Sequence, residues 1–461
     1  MFSRILFLLF LIISVSCNKD LVVDKPYPYQ EMTLIRINTS GDAIKNDNKI
    51  SASFELIKNG NTIESASIGI EYRGSTSYRL FEKKSYGFQF QNSAGSSISQ
   101  MILDLPKDED WILYGPYSEK SLLHNYLVYD WSNKMGRYAS RTRWVELELN
   151  GMYEGVYILM EKIKRNSNRV DISKIDVTDI TPGLVTGGYI IKIDKAVGES
   201  GLDSWEGDAT YLEPFSFRSN YGVNGQLLDY PAFGPKQPAE TYFIYSYPGP
   251  ANITPEQRAY IQGYMADFEA ALAAEDFTSN NRIYADFIDV DSFVDNFLLN
   301  EISANPDAYR LSTFLFKDRN GKLNAGPVWD FNLGFGNDGR SRSDGWIYQY
   351  NTNYPDDLWL VPFWWEKLMQ DPQFRTAVKT RWFQLRNTIF DEGVLLSQID
   401  EQVSFLKAQG AIDRNFNRWK IIGVGVAFNS FVGATYEEEV EYVKSWLSAR
   451  LQWMDGQISD F

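Results

Sequence analysis

Cysteine and histidine are nearly absent from this chain of 461 residues, which contains one of each, Cys17 and His124. A single cysteine excludes an intrachain disulfide, and a single histidine excludes a zinc site with several histidine ligands. A Ser-His-Asp enzyme would depend on His124, whose place in a predicted helix indicates an ordinary structural role instead. The sequence has no Gly-Lys-Ser/Thr phosphate loop and no Gly-x-Gly-x-x-Gly fingerprint between a strand and a helix. The common nucleotide-binding folds are therefore not indicated.

Positive charge is scarce as well. The chain has 45 Lys and Arg residues against 60 Asp and Glu residues, and its formal charge is −15. Proteins that bind nucleic acid need basic surfaces that displace counterions, so no nucleic-acid partner is expected. The balance fits a site that binds cations, or a basic protein as the substrate or surface ligand.

The apolar run from Ile5 to Val15 is too short to span a membrane, which takes about 20 apolar residues. Arg4 precedes this run and Ser16-Cys17 follows it, as in a secretory signal. The sequence Ile13-Ser-Val-Ser-Cys17 resembles a bacterial lipobox, in which the cysteine becomes the acylated first residue. An ordinary signal peptide that is cut elsewhere is the alternative interpretation.

We therefore expect a lipoprotein signal peptide over residues 1–17, lipidation at Cys17 and a tether over residues 18–30. The charged segment Asn18-Lys19-Asp20 resembles the tails of some Bacteroidetes lipoproteins at the outer membrane or cell surface. The lipid anchor is the only membrane contact expected.

Hydrophobic periodicity predicts an α+β fold for residues 31–461, with a β-rich lobe over about 31–195 and a helical lobe over about 251–461. Between these lobes, the stretch over about 196–250 has no lasting period and is interpreted as an ordered aromatic insertion. Strands are predicted at 34–37, 52–56, 68–72, 86–90, 144–149, 153–159 and 188–193.

The predicted helices are marked by caps and by apolar spacing. Thr254, Pro255 and Gln257 form a capping box at the start of one helix, and Asp291 is expected to cap the next. Further helices are predicted at 121–135, 362–368, 371–389, 395–409 and 436–454.

The most specific pattern is a predicted hairpin around Asn320-Gly321. Runs rich in β-branched and aromatic residues, at 312–316 and 322–328, flank this pair. Both turn residues tolerate the positive φ that a type I′ turn requires. With Asn320 and Gly321 as the two turn residues, Lys322 would face Arg319.

This register would bring two carboxylates together, because Asp330 would lie opposite Leu311 and Asp307 would lie at the same open end. Such a pair suits a site for metal and phosphate, where one Asp orients a nucleophile and the other binds Mg²⁺. Asp is also common in turns and at strand ends, so loop capping is the alternative role.

Two cationic segments could bind phosphate. Arg73-Gly-Ser-Thr-Ser77 follows a predicted strand and offers hydroxyls and backbone N–H groups. Lys83-Lys84 enters the next strand, where alternation points one lysine inward. In kinases such a lysine pairs with a buried Glu, and Glu161 is the candidate. A solvated basic turn with an exposed lysine remains the alternative.

Several motifs occur in one order along the chain. They are Tyr72-Arg-Gly-Ser-Thr-Ser77, Lys83-Lys-Ser-Tyr86, Trp111-Ile-Leu-Tyr114, Glu146-Leu-Glu-Leu-Asn-Gly151, Glu161-Lys162, Asn305-Pro-Asp307 and Pro327-Val-Trp-Asp-Phe-Asn332. Together they resemble the spore coat protein H (CotH) kinase family, from about residue 32 to 336, with a weaker helical tail beyond.

The resemblance implies an atypical, secreted-type protein kinase fold that transfers the γ-phosphoryl group of ATP to Ser or Thr hydroxyls with Mg²⁺ or Mn²⁺. By this match Asp307 is the catalytic aspartate, and Asp330 and Asn332 bind the metal. Arg73, Lys84 and Glu161 match nucleotide-binding positions.

The chain departs from the family pattern at two positions. Many members have Asn five residues after the catalytic Asp and a second Asp two residues after the metal-binding Asp, where this chain has Ser312 and Asn332. The alternative function is therefore a catalytically degenerate surface lipoprotein that binds glycans or host proteins. Its candidate aromatic platforms are Trp205, Tyr211, Phe215 and Phe233. A glycosidase with two carboxylates is a third, weaker interpretation.

Overall fold

Alternating apolar side chains give the first part of the chain its strands. The structure, a computed structural model, describes residues 32–46, 48–196, 210–279 and 282–461, so Cys17 and Trp205 lie outside the described residues. The strands are β1 (Thr33–Asn38), β2 (Ile50–Lys58), β3 (Asn61–Arg73), β4 (Ser85–Gln91), β5 (Gln100–Ile102), β6 (Leu105–Asp108), β7 (Asp110–Tyr114), β8 (Thr142–Leu149), β9 (Met152–Glu161), β10 (Tyr189–Ile193), β11 (Ser216–Arg218), β12 (Tyr242–Tyr247), β13 (Thr313–Lys317) and β14 (Leu323–Ala325).

Seven of these strands close into a barrel in the order β1-β2-β3-β4-β7-β9-β8. The parallel pair β1 and β8 completes the barrel, and the other neighbours are antiparallel. Side chains at every second position fill its interior, among them Ile35, Phe54, Phe88 and Leu159. The predicted β-rich first part is thus confirmed, although the sequence pattern did not predict that the sheet closes.

A second sheet has the strand order β11-β12-β10-β13-β14 and is antiparallel throughout. The stretch 196–250, interpreted from the sequence as an ordered insertion, contributes β11 and β12 to this sheet, and β12 pairs directly with β10. The run 242–247, Tyr-Phe-Ile-Tyr-Ser-Tyr, is almost continuously apolar, and its first four residues are buried. It lacks the alternation that marks a half-exposed strand, which is why its sequence did not predict one.

The predicted hairpin exists, but its register was wrong by one residue. Lys317 faces Leu323 and Leu315 faces Ala325, so the five residues 318–322 connect the two strands. Asn320 has a φ of +55° there, and the amide of Gly321 donates to the carbonyl of Asp318 at 3.1 Å. The second strand is also short, because the chain leaves the sheet after Ala325. Asp330 therefore reaches its position through an irregular segment and not through the ladder.

Most of the helices come after the barrel strands in the chain. The helices are α1 (Thr76–Leu80), α2 (His124–Lys134), α3 (Pro255–Ala273), α4 (Tyr284–Phe287), α5 (Val290–Ser303), α6 (Tyr350–Asn353), α7 (Trp364–Gln370), α8 (Pro372–Arg386), α9 (Glu392–Ala408), α10 (Ala411–Arg418) and α11 (Tyr436–Ser459). The capping box of Thr254 and Gln257 is confirmed, whereas Asp289 and not Asp291 caps α5. No helix among the described residues is both long and apolar enough to cross a membrane.

Strand β9 joins the barrel to the helical part of the chain. Tyr157 and Leu159 point into the barrel, while Val156, Ile158 and Met160 join the larger core with α2 and α5. Both faces of this strand are therefore buried. On the same strand, the amide of Val156 donates at 3.0 Å to the side chain of Asn415 from α10.

A buried ion pair anchors the C-terminal helix to α5. The guanidinium of Arg450 donates to the Glu301 carboxylate at 3.1 Å and to the Glu301 carbonyl at 2.7 Å, and both side chains are fully buried. Glu301 also accepts from the amides of Ile347 and Tyr348 at 2.9 Å and from the Tyr309 hydroxyl at 3.1 Å. This network fixes the end of α5 and therefore the turn that follows it.

We expect Arg450→Leu to lower the free energy of unfolding by about 3–5 kcal/mol, because it leaves the Glu301 carboxylate buried without its cation. Urea unfolding followed by circular dichroism measures the change. The control is Arg342→Leu, which removes an exposed pair with Asp344 and should change stability by less than about 1 kcal/mol. Equal losses in the two variants would contradict the buried-pair argument.

Candidate functional site

The structure brings the Asp307 and Asp330 segments together through one side chain, that of Asn305. Its amide nitrogen donates to the Asp330 carbonyl at 3.1 Å, and its amide oxygen accepts from the Asp307 N–H at 3.2 Å. Asn305 is buried directly after the left-handed C-cap of α5 at Ala304. The end of this helix thus holds both aspartate segments, although the hairpin register that predicted their proximity was wrong.

Helix α2 fixes the backbone of Asp330. This residue has a φ of +64°, in the left-handed region that a non-glycine residue seldom adopts. Its N–H donates to the Tyr129 hydroxyl at 3.1 Å, and the N–H of Phe331 donates to the Asn125 side chain at 2.6 Å. Tyr129 and Asn125 are both buried on α2. Such over-determined, strained backbone is typical of functional positions.

Two further carboxylates, those of Asp307 and Asp194, act electrostatically on Asp330. Burial, followed by the negative charges of Asp307 and Asp194, raises the pKa of Asp330 to about 7, while the charge of Lys195 opposes this shift. Two carboxylates that raise the pKa of a third form a natural place for a divalent cation, which would remove the repulsion. The donor set, carboxylate oxygens at the end of a sheet, fits Mg²⁺ or Mn²⁺ and not a soft metal.

Asp307 is oriented by Arg310. Its carboxylate accepts from Arg310 at 2.6 Å, and the same guanidinium binds Asp357 at 3.2 Å and the Pro306 carbonyl at 2.8 Å. About a quarter of the Asp307 side chain is exposed, whereas that of Arg310 is buried. Asp307 is therefore held in one orientation while one part of it faces solvent, as a residue that orients an acceptor hydroxyl must be.

The two departures from the family pattern lie in the same region. Asn332 is half-buried in the turn after Asp330, and its carbonyl accepts from the Asn337 side chain at 2.8 Å. Ser312 has a φ of +48° and lines a small cavity of about 10 Å³ with Asn296, Asn300 and Asn305. A cavity of this size holds about one water molecule.

The two adjacent lysines before β4 point to different places. The ammonium of Lys83 is buried and donates to the Val156 carbonyl at 2.5 Å and to Asn415 at 3.0 Å. Burial lowers the pKa of Lys83 to about 7, although Glu119 and Glu154 oppose the shift. Lys84 is half-buried and donates at 2.5 Å to the carbonyls of Tyr78 and Phe81. Alternation thus turned one lysine inward, and that lysine is Lys83.

The predicted pairing of a lysine with Glu161 was wrong. Glu161 is fully buried, but its carboxylate binds Arg141 at 2.6 Å and lies 3.7 Å from Arg169. Lys84 meets β9 at Tyr157, whose hydroxyl donates to the Lys84 carbonyl at 2.9 Å. Glu161 lies four residues after Tyr157 along β9, which is roughly 13 Å at about 3.3 Å per residue. Glu161 instead stabilises the far end of the barrel.

The segment from Arg73 to Ser77 reaches the site through Thr76. The Lys195 ammonium, directly after Asp194, lies 3.3 Å from the Thr76 hydroxyl. Arg73 itself lies flat across Gly87 on the outside of the barrel, where a Cβ on that glycine would come within 2.9 Å of the arginine Cδ. Its charge also lowers the pKa of Lys162, whose shift comes mainly from burial. Arg73, Lys84 and Glu161 as nucleotide-binding residues stay predictions.

Sequence reasoning missed Asp194 and Lys195, which the structure places at the site. Both directly follow the strand predicted at 188–193, now β10. A charged pair immediately after a buried strand was the available signal, since ligands bind at strand ends in many sheets. The other missed contributors, Asn125 and Tyr129, lie on a helix more than 170 residues upstream, and no local pattern connects them to Asp307.

Structural contacts account for two other features, His124 and the acidic cluster at residues 108–110. His124 is buried, which lowers its pKa to about 3, and it packs on Phe335 with ring centroids 4.9 Å apart. Asp108, Glu109 and Asp110 form an acidic cluster, but the Lys164 ammonium lies 3.3, 2.6 and 2.8 Å from their carboxylates. That ammonium already occupies the place where a metal ion would bind.

Comparison with known families gives one finding. A family model described as CotH kinase protein matches residues 70–454, which include both aspartate segments, Asp194 and the helices beyond. No curated protein matches the chain.

We expect Asp330→Asn to stabilise the metal-free protein above pH 7 by a few degrees in Tm, and to have no effect below about pH 4. The pKa of Asp330 rises from its ordinary 3.8 to about 7 on folding. Between these values only the folded chain keeps the proton, so the stability that the wild-type protein derives from protonation is lost as pH rises through this window. Thermal unfolding across pH 4 to 8 measures the difference.

The matched control is Asp344→Asn, because the pKa of that exposed carboxyl is lowered by Arg342. This variant should gain no stability at pH 8. Added Mn²⁺ should raise the Tm of the wild-type protein and not that of Asp330→Asn. A difference between wild type and Asp330→Asn that is constant with pH would contradict the assigned cause.

Proposed function

The chain belongs to the CotH kinase family, and we propose that it is an atypical protein kinase that transfers the γ-phosphoryl group of ATP to Ser or Thr hydroxyls. The observation that carries this proposal is the electrostatic effect of Asp194 and Asp307 on the buried carboxylate of Asp330, whose segment Asn305 joins to that of Asp307. Phosphoryl transfer needs positioning and charge stabilisation more than covalent chemistry, and such a site supplies both.

The residues divide into two roles. Asp330, with the neutral oxygen of Asn332, would hold the metal, and Asp307 would orient the acceptor hydroxyl. A bound Mg²⁺ or Mn²⁺ would supply positive charge that neutralises the charge of the transferred phosphoryl group. In the reaction, the acceptor oxygen bonds to the γ-phosphorus as the bond to the β,γ-bridging oxygen breaks. The hydroxyl proton passes to Asp307, and ADP leaves.

The buried framework supports this division because it holds the two aspartates in different ways. Asp307 is bound by Arg310, which fixes the direction of its carboxylate. Asp330 has its backbone fixed by Tyr129, and the charges of Asp307 and Asp194 act on its buried carboxylate. One carboxylate is thus arranged to orient a neutral group, and the other is arranged to bind a cation.

The alternative of a glycan or protein-binding lipoprotein relies on aromatic platforms. Tyr211 does not suit that role, because it is buried, stacks on Tyr242 with centroids 4.1 Å apart and donates to the Asp194 carbonyl at 2.8 Å. Phe233 is 37% exposed and remains a candidate for surface contacts. The aromatic residues that the structure describes around β12 thus support the carboxylate site more than a separate binding face.

We expect wild-type protein to bind ATP with Mg²⁺ or Mn²⁺ and to transfer ³²P from γ-labelled ATP to a basic protein acceptor. Asp330→Ala should lose metal-dependent binding while it stays folded. Asp307→Asn should keep nucleotide binding and lose about 10²- to 10⁴-fold in transfer rate. Calorimetry and autoradiography measure these effects, and Asp344→Asn is the control. Nucleotide binding that is absent with both metals would contradict the proposal.

We also propose that a lipid on Cys17 anchors the protein at the outer membrane or cell surface. The support is the lipobox-like sequence before Cys17, which lies outside the described residues. Wild-type protein produced in a Gram-negative bacterium should partition with membranes and carry an acyl mass on its N-terminal residue. Cys17→Ser should release it into the aqueous fraction, whereas an unchanged distribution would contradict lipidation. Mass spectrometry and fractionation are the measurements.

A further inference from the structure

Lys195 occupies a distinctive place between the barrel and the second sheet. It follows β10, the middle strand of that sheet, so it lies beside the start of β13, where Ile193 faces Thr313. The chain enters β13 directly from the Asp307 segment. Lys195 is therefore next to Asp194 in sequence and next to the Asp307 segment across the sheet.

The ammonium of Lys195 has weak partners for a half-buried cation. It donates to the Thr76 hydroxyl at 3.3 Å and lies 5.1 Å from the centroid of the Trp359 ring. No carboxylate among the residues that the structure describes forms an ion pair with it, although its charge acts on Asp330. A hydroxyl and an aromatic face guide an ammonium group but leave most of its charge available to an anion.

The neighbouring cations are already engaged. Lys83 is buried against Val156 and Asn415, and Lys84 donates to two backbone carbonyls. Arg310 binds both Asp307 and Asp357. Of these cations, Lys195 is thus the one whose ammonium group is available to bind an anionic ligand beside Asp330.

A chain of hydrogen bonds holds the turn that presents Lys195. The Trp359 indole N–H donates to the Tyr211 hydroxyl at 3.0 Å, and this hydroxyl donates to the Asp194 carbonyl at 2.8 Å. The backbone N–H of Trp359 also donates to Asp357 at 3.0 Å, and Asp357 binds Arg310. Through these contacts the surroundings of Lys195 are connected to Asp307, so the two groups keep a fixed relation.

We propose that Lys195 binds the terminal phosphate of the nucleotide and holds it between Thr76 of the barrel lobe and the carboxylates of the second sheet. This inference rests on the proposed function and assigns the phosphate-binding cation to β10. The site then has an ammonium group on one side of the phosphate and the aspartates with their metal on the other. Lys195 is a residue that binds the substrate, and the proton transfer remains with Asp307.

The test compares ADP with a non-hydrolysable ATP analogue by calorimetry at pH 8 with Mn²⁺. We expect the wild-type protein to prefer the analogue, and Lys195→Met to lose about 10- to 100-fold of affinity for the analogue but much less for ADP. Lys195→Arg should recover most of the loss. Lys322→Met, at the exposed turn of the hairpin, is the control and should match the wild type.

The outcomes separate the two claims. Wild-type protein that binds neither nucleotide overturns the proposed function, and the inference fails with it. Wild-type binding with equal losses for both nucleotides in Lys195→Met, or with no loss, overturns the inference alone. Circular dichroism verifies folding, and Lys195→Gln is the second neutral variant if Lys195→Met does not fold.

Discussion

The repulsion among Asp194, Asp307 and Asp330 is the constraint on which the rest of the site depends. Burial and the charges of two other carboxylates make ionisation of Asp330 unfavourable, and together they raise its pKa to about 7. A fold keeps such a group only if the surrounding structure over-determines its position. Here the supports come from α2, from the end of α5 and from Arg310, and each fixes a different part of the aspartate pair.

These supports are themselves held by buried polar groups. Arg450 and Glu301 form a fully buried pair, and Glu301 accepts from Tyr309, two residues after Asp307. The C-terminal helix is thus connected to the aspartate turn through one carboxylate. Buried pairs of this kind contribute little net stability compared with apolar packing, but loss of one partner is costly. Their effect here is to fix a turn whose backbone has few regular hydrogen bonds.

Much of the fold could be predicted from sequence because its strands alternate. The segments around Ile35, Phe54 and Phe88 show period two, since one face of each strand fills the barrel. Strand β12 could not be predicted in this way, because Phe243 and Tyr245 join one core while Tyr242 and Ile244 join another. Closure of the barrel depends on the parallel pairing of β1 and β8, which are more than 100 residues apart, and no local pattern shows it.

The sequence likewise predicted some residues of the candidate site but not the contacts that bring them together. The ordered motifs that resemble the CotH family predicted Asp307 and Asp330 as site residues. The hairpin argument reached the same pair through a register that was wrong by one residue, and Asn305 is what brings the two segments together. The site thus depends on contacts between distant elements, such as Tyr129 with Asp330, that one sequence does not reveal.

The surroundings of each lysine determine whether its ammonium group can bind an anion. Lys83 and Lys84 directly precede β4 of the barrel, whereas Lys195 lies two residues after β10 of the second sheet. Burial lowers the pKa of Lys83 to about 7, so this ammonium is poorly suited to remain charged there at neutral pH. Lys84 ends a short helix by donating to its carbonyls. Asn332 is neutral, whereas Asp194, directly after β10, carries a negative charge that acts on Asp330. The electrostatics of Asp330 therefore depend on β10 as well as on the Asp307 segment.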